Sequence, residues 1–334
     1  MSTHRSFRAC LLRIAKAFAA LLALAFSISM FGALCFDGPG ILLAALAMLC
    51  LLGAMIWQKF RWRAWAVWGV CFAVVLIWWL SLKPPAAAVW QPDVAQVATA
   101  EIDGDVITFH NVRDCEYRSA TDFTPRWITR EVRLSSITGV DIAINYWGSP
   151  WMAHPIVSFQ FSDSPPLAFS IETRKRAGQS YSAIGGLYRQ YSLMCIVAEE
   201  RDVLGVRAVH RKGEDVYLYH TTLSPEKART RLLEYISTIN SLAEKPRWYN
   251  AITTNCTTGI RSQHLQGERI PWDWRILVNG KGDEMMYEIG AFMTGDLSFQ
   301  KLKKRAHCNS AIIAADGKSD FPALIRAGTL PNRQ

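Results

Sequence analysis

Acidic residues are nearly missing from the first quarter of this 334-residue chain: within residues 1–83, Asp37 stands alone against eight Lys and Arg. Charge is scarce throughout, at 19% of residues, where an average soluble domain has roughly 25%. Half of the residues are hydrophobic, which excludes a disordered chain, and eight cysteines are too dilute for a disulfide scaffold. Several chemistries lack their motif. The chain has no Cys-x-x-Cys, no Gly-x-Ser-x-Gly elbow and no glycine-rich phosphate loop. His110, His210, His220, His264 and His307 are scattered without zinc-site spacing, so no metal or cofactor is expected. Of the net charge of +9, residues 1–83 carry +7, and residues 84–334 hold 29 basic against 27 acidic side chains. That balance is too even for nucleic-acid binding.

What is present first is apolar length. Ala17–Cys35, Ile41–Trp57 and Ala64–Leu82 carry no charge over 19, 17 and 19 residues. A hydrocarbon core about 30 Å thick needs roughly 17–25 helical residues, so three transmembrane helices are expected. The first run is longer than a signal-peptide core, no small-x-small cleavage site follows it, and two more runs come next. Basic residues set the orientation. Arg5, Arg8, Arg13 and Lys16 precede the first run, and Lys59, Arg61 and Arg63 separate the second from the third. The connection Phe36–Gly40 has no basic residue. The N-terminus is therefore expected in the cytoplasm and the large C-terminal part on the extracytoplasmic face of an inner membrane. Trp57, Trp62, Trp65, Trp78 and Trp79 fall near the ends of the runs, as interfacial aromatics do.

Beyond residue 83 the composition becomes that of a folded domain, entered through a linker over 84–99 that starts Pro/Ala-rich. Asp105–Val112, Ile156–Phe161, Leu167–Glu172, Met194–Ala198 and Val216–Tyr219 are rich in β-branched and aromatic residues and read as strands. A helix follows. Ser224 is a good N-cap and Pro225 suits the first helical position. Ala228, Leu232, Tyr235, Ile236, Ile239 and Leu242 recur at helical spacing until Lys245-Pro246. A second helix is expected from about Asn255 through Leu265. Strands followed by helices predict an α+β domain over 100–334 with an antiparallel sheet.

Three residues carry candidate chemistry. Cys256, in Trp248–Gln263, would sit at the positive end of that second helix, where a thiol loses its proton more easily. His154 lies at the mouth of a strand and can serve as a general base. Glu172 ends the next strand and can orient the imidazole, completing nucleophile, base and orienter. Each also has a plain structural reading: a buried inert thiol, a packed histidine before Pro155, and a strand-end acid paired with Arg174. An oxidising compartment permits disulfides, and at most two of Cys115, Cys195 and Cys308 can pair with each other; Cys195, in an apolar strand, also reads as core.

A set of motifs gives the outer part a familiar look: His110–Arg113, Trp151–Phe161, Ser170–Lys175, Tyr181–Tyr191, Glu200–Asp202, Asp215–Tyr219 and Trp248–Thr258. Over roughly residues 100–330 the chain resembles the family named after the N-terminal periplasmic domain of Lnb, the lipoprotein intramolecular transacylase. That family is similar to the permuted papain-like group, which includes NlpC-type peptidases. The resemblance implies a papain-like (permuted NlpC-type) fold with the histidine ahead of the cysteine in sequence. It implies His154 as base, Cys256 as nucleophile and Glu172 as orienter, with Asn145 or Glu199 as alternatives for the third place.

The leading expectation is a membrane-anchored cysteine acyltransferase or hydrolase acting on a lipid-linked ester or amide, by resemblance a lipoprotein. Its expected partners are the membrane lipid bilayer and a lipid or lipoprotein substrate. The Trp-rich stretch Tyr146–Met152 beside His154 offers a surface for acyl chains. A cell-wall peptidase or amidase uses the same thiol chemistry in an open cleft. A non-catalytic, membrane-tethered binding module would leave Cys256 with ordinary reactivity.

Overall fold

Two units organise the chain, one comprising Met1–Pro84 with Ser182–Gln190 and the other Pro85–Tyr181 with Tyr191–Gln334. The computed structural model describes residues 2–38, 40–56, 61–254, 257, 272–277 and 279–328.

The first unit contains helices α1 (Ser2–Asp37), α2 (Ile41–Ile56) and α3 (Arg61–Ser81). Among the described residues two stretches are long and apolar enough to cross a bilayer, Arg13–Asp37 and Arg63–Ser81. The expectation of three such helices is corrected to two. The 16 described residues of α2 rise about 24 Å at 1.5 Å per residue, against a core about 30 Å thick. Trp57, counted with that run in the sequence, lies outside the described residues. Helices α1 and α3 are joined by the Trp68 indole N–H donating to Ser27 Oγ at 3.0 Å and by Phe26 against Phe72 at 5.0 Å between ring centres.

The second unit is built on a sheet with strands β1 (Thr99–Asp103), β2 (Val106–Arg113), β5 (Trp127–Arg133), β6 (Ile137–Trp147), β7 (Ser149–Phe161), β8 (Leu167–Arg174), β9 (Ser192–Glu199) and β10 (Glu214–His220). Two short strands, β3 (Glu116–Tyr117) and β4 (Phe123–Thr124), pair separately. The main order is β1-β2-β9-β8-β7-β6-β10, with β5 also on β2. Every pairing is antiparallel except the β2–β9 junction at Arg113 and Ala198. The α+β class and the antiparallel-dominated sheet expected from the sequence are present.

Alternation along the strands gives the sheet two different faces. On one, Phe109, Val157, Phe159, Leu167, Phe169, Cys195 and Val197 form a dry core. Helix α5 (Pro225–Glu244) covers it with Ala228, Leu232, Tyr235, Ile236, Ile239 and Leu242. Its start matches the sequence reading, with Ser224 Oγ accepting from Lys227 N and Pro225 leading the helix.

The other face is apolar in its middle and polar at both ends. Ala143, Ile156, Ala168, Met194, Ile196 and Leu218 pack under α4 (Glu200–Gly205), α8 (Asn309–Ala315) and α9 (Phe321–Leu324). Two further helices, α6 (Gly282–Glu288) and α7 (Phe299–Ala306), precede those last two in sequence. On this same face, Ile156 separates His154 from Ser158 along β7.

Cys115, Cys195 and Cys308 are all free and buried. Cys195 belongs to the dry core, as its apolar strand implied.

Candidate functional site

His154 and Glu172 stand together. Between β7 and β8, Val157 faces Phe169 and Phe159 faces Leu167. Continuing that antiparallel register three residues further sets His154 opposite Glu172. The His154 Nε2 lies 3.1 Å from Glu172 Oε1 and 2.7 Å from Ser170 Oγ. Ser170, two residues before Glu172 and so on the same face, donates to Glu172 Oε1 at 2.7 Å. The hydroxyl is therefore an acceptor from the imidazole and a donor to the carboxylate. That fixes the tautomer with hydrogen on Nε2 and leaves Nδ1 as the basic nitrogen.

Arg207 closes the arrangement from behind. Its Nη2 donates to Glu172 Oε1 at 2.9 Å and its Nη1 to the Val203 carbonyl at 2.7 Å. The residue is buried within a turn of π-helix, Val206–His210, directly after α4. A π turn rotates side chains away from α-helical positions and often occurs at functional sites. Burial works against ionisation of Glu172. The His154, Arg207 and Ser170 contacts outweigh it and hold the carboxyl well below the usual carboxylate range.

A second polar network occupies the far end of the same face. Arg326 donates to Asp141 and Glu200, Ser158 Oγ donates to Glu200, and Asp141 meets the His220 ring. Nearby, Arg113 pairs with Asp202, whose other oxygen accepts from Cys115 N at 2.7 Å. Arg201 pairs with Asp114. The consecutive residues Glu200, Arg201 and Asp202 thus each make an ion pair that ties α4 to the rest of the unit.

Of the alternatives for the orienting place, Asn145 faces His154 across the β6–β7 ladder, and its amide donates to Glu214 at 2.6 Å. Glu199 falls on the opposite face of β9 and pairs with Arg130. Cys256 lies outside the described residues. Ser170 and Arg207 were not singled out in the sequence. Both had a faint signal, a serine two residues from a carboxylate in an apolar strand and a lone arginine in the run Val203–Val209.

Residues 123–280 match the family model of the Lnb N-terminal periplasmic domain. The segment includes His154, Ser170, Glu172, Arg207 and Cys256, and covers just under half of the chain. The family resemblance read from the motifs is thus shown over that segment, which is narrower than residues 100–330; His110–Arg113 lies before it. No curated protein and no solved structure matches the chain. The domain and the apolar helices fit a membrane-anchored protein with an extracytoplasmic domain.

The depressed Glu172 ionisation has a readable consequence. Its stabilisation is complete above the unfolded carboxyl value of about 4.3 and is lost as pH falls through the lower folded value. Urea denaturation of wild type and Glu172→Gln should show a separation that shrinks steadily as pH falls from about 4.3 toward about 2. A separation that stays constant to the lowest pH would mean that His154 and Arg207 do not hold this carboxylate ionised.

Proposed function

We propose that the chain is a membrane-anchored, extracytoplasmic cysteine acyltransferase or hydrolase of papain-like (permuted) type, acting on a lipid-linked ester or amide such as that of a lipoprotein. The observation that carries this reading is the His154–Ser170–Glu172 relay with Arg207 behind it. An inert core histidine has no need of an ionised carboxylate backed by a buried guanidinium. Here the relay holds one tautomer and stabilises an imidazolium once it forms.

In the proposed cycle, Nδ1 of His154 takes the proton from the Cys256 thiol. The thiolate attacks the acyl carbonyl, and the bond to the leaving alkoxide or amine breaks as the imidazolium returns the proton to it. The resulting thioester is resolved by an amine or by water, whose proton goes to His154 while the Cys256 thiolate departs. Glu172 stays ionised throughout. Exposed Trp151 and Met152, on the same strand as His154, give an acyl chain an apolar surface close to the base.

The expected test is direct. The full chain in detergent, given a synthetic diacylglyceryl lipopeptide, should accumulate an acyl thioester on Cys256 detectable by mass, absent in Cys256→Ala. His154→Gln should slow its formation by about 10²-fold or more. No thioester in the wild type, or equal formation with His154→Gln, would contradict the reading.

Topology belongs to the same proposal. The basic residues before α1 favour a cytoplasmic N-terminus, and the family match favours an extracytoplasmic C-terminal part. The chain is then a multi-pass protein of the inner membrane. Protease added to the outside of spheroplasts should remove a C-terminal epitope tag; protection of the tag until the cells are lysed would contradict the extracytoplasmic placement.

A further inference from the structure

The nine residues Ser182–Gln190 cluster with the membrane helices, although they connect β8 to β9 in sequence. Asp37, the only acid of the first 83 residues, is where they attach. Its carboxylate accepts from the Trp79 indole at 2.7 Å, from Gln190 Nε2 at 2.6 Å and from the Arg189 backbone N–H at 3.2 Å. Arg189 lies over the Trp79 ring and donates to the carbonyls of Leu82 at 2.6 Å and Leu80 at 3.2 Å. Both carbonyls lie at the C-terminal end of α3, where a helix has backbone acceptors to satisfy from outside its own ladder. Tyr188 stacks on Phe36 at 5.0 Å. It also lies so close to α1 that a Cβ on Gly32 would fall 1.9 Å from its hydroxyl.

The loop is thus held at the ends of α1 and α3, where the two membrane-length stretches finish at Asp37 and Ser81. Trp79, Tyr188 and Arg189 are the side-chain types that settle at the boundary between headgroups and hydrocarbon. Between them a short 3₁₀ turn, Gly185–Leu187, buries its two glycines and leaves Ile184 61% and Leu187 37% exposed. Large apolar side chains kept at this level by the helix ends have acyl chains beside them.

We propose that Ser182–Gln190 is a membrane-interface anchor whose Ile184 and Leu187 insert among the acyl chains of outer-leaflet phospholipid, with Asp37 as the clamp that holds it there. The inference rests on the membrane-spanning reading of α1 and α3 and is independent of the chemistry at Cys256.

The test places photo-crosslinking benzoylphenylalanine singly at Ile184, Leu187, Val74 or Ile313 in the full chain. Each variant is reconstituted into phosphatidylethanolamine/phosphatidylglycerol vesicles and irradiated. Val74 is an exposed residue of α3 and Ile313 an exposed residue of α8 in the sheet unit. Phospholipid adducts are expected at positions 184, 187 and 74 and not at 313. Adducts at 74 with yields at 184 and 187 no higher than at 313 would overturn the anchor. No adduct at 74 would overturn the membrane-spanning reading of α3 and the anchor with it. Adding Asp37→Ala should lower the yield at 184 several-fold, and an unchanged yield would overturn the clamp.

Discussion

A carboxylate beneath a helical layer keeps its charge only if donors replace the water it has lost. At Glu172 three donors converge on one oxygen: Ser170, Arg207 and the His154 ring. Each comes from a different structural device. Ser170 is there because strand alternation returns to the same face every second residue. His154 is there because the β7–β8 register sets it opposite. Arg207 is there because a π turn follows α4, whose own position depends on the ion pairs of Glu200, Arg201 and Asp202 with Arg326, Asp114 and Arg113. Breaking a buried pair of this kind by removing one partner typically costs about 3–5 kcal/mol, because the other charge is left uncompensated. The architecture of this face is the set of supports that one ionised group requires.

The opposite face has no such demand. A continuous apolar layer under α5 needs only shape and burial, and this is the part of the fold that was most legible in the sequence. Ser224, Pro225 and the helical spacing from Ala228 to Leu242 located α5 correctly, and the apolar runs located β2, β7, β8, β9 and β10. Strand β6 escaped notice because its buried face carries Asp141 and Asn145, polar residues whose partners lie far away in sequence. Strands β1 and β5 intersperse charged residues among their β-branched ones, so no apolar run marks them. The same reasoning explains the site. His154 and Glu172 were visible as unusual residues at strand ends, whereas Ser170 and Arg207 acquire meaning only once the register and the π turn bring them to one oxygen.

The membrane part divides along similar lines. Apolar length is a local property, and it marked the helices directly. Nothing local distinguishes Ser182–Gln190 from any other hairpin connection. Gly185-Gly186 forms part of a tight 3₁₀ turn in a loop tied to a single distant acid. The solitary Asp37, conspicuous in a basic and apolar segment, was the available clue that some partner would have to meet it.

The central claim is that this relay serves a reactive thiol at Cys256, and thiol reactivity tests it most directly. Burial raises the other thiols of the outer domain, Cys115 to about 11 and Cys195 and Cys308 to about 12, so they remain protonated and shielded. Alkylation by iodoacetamide of the folded full chain, followed site by site by peptide mass across a pH series, should modify Cys256 well below its ordinary value of about 8.5. That low-pH reactivity should disappear with His154→Gln while Cys115, Cys195 and Cys308 stay unmodified in both proteins. A Cys256 that titrates as an ordinary thiol and is indifferent to His154 would contradict the account.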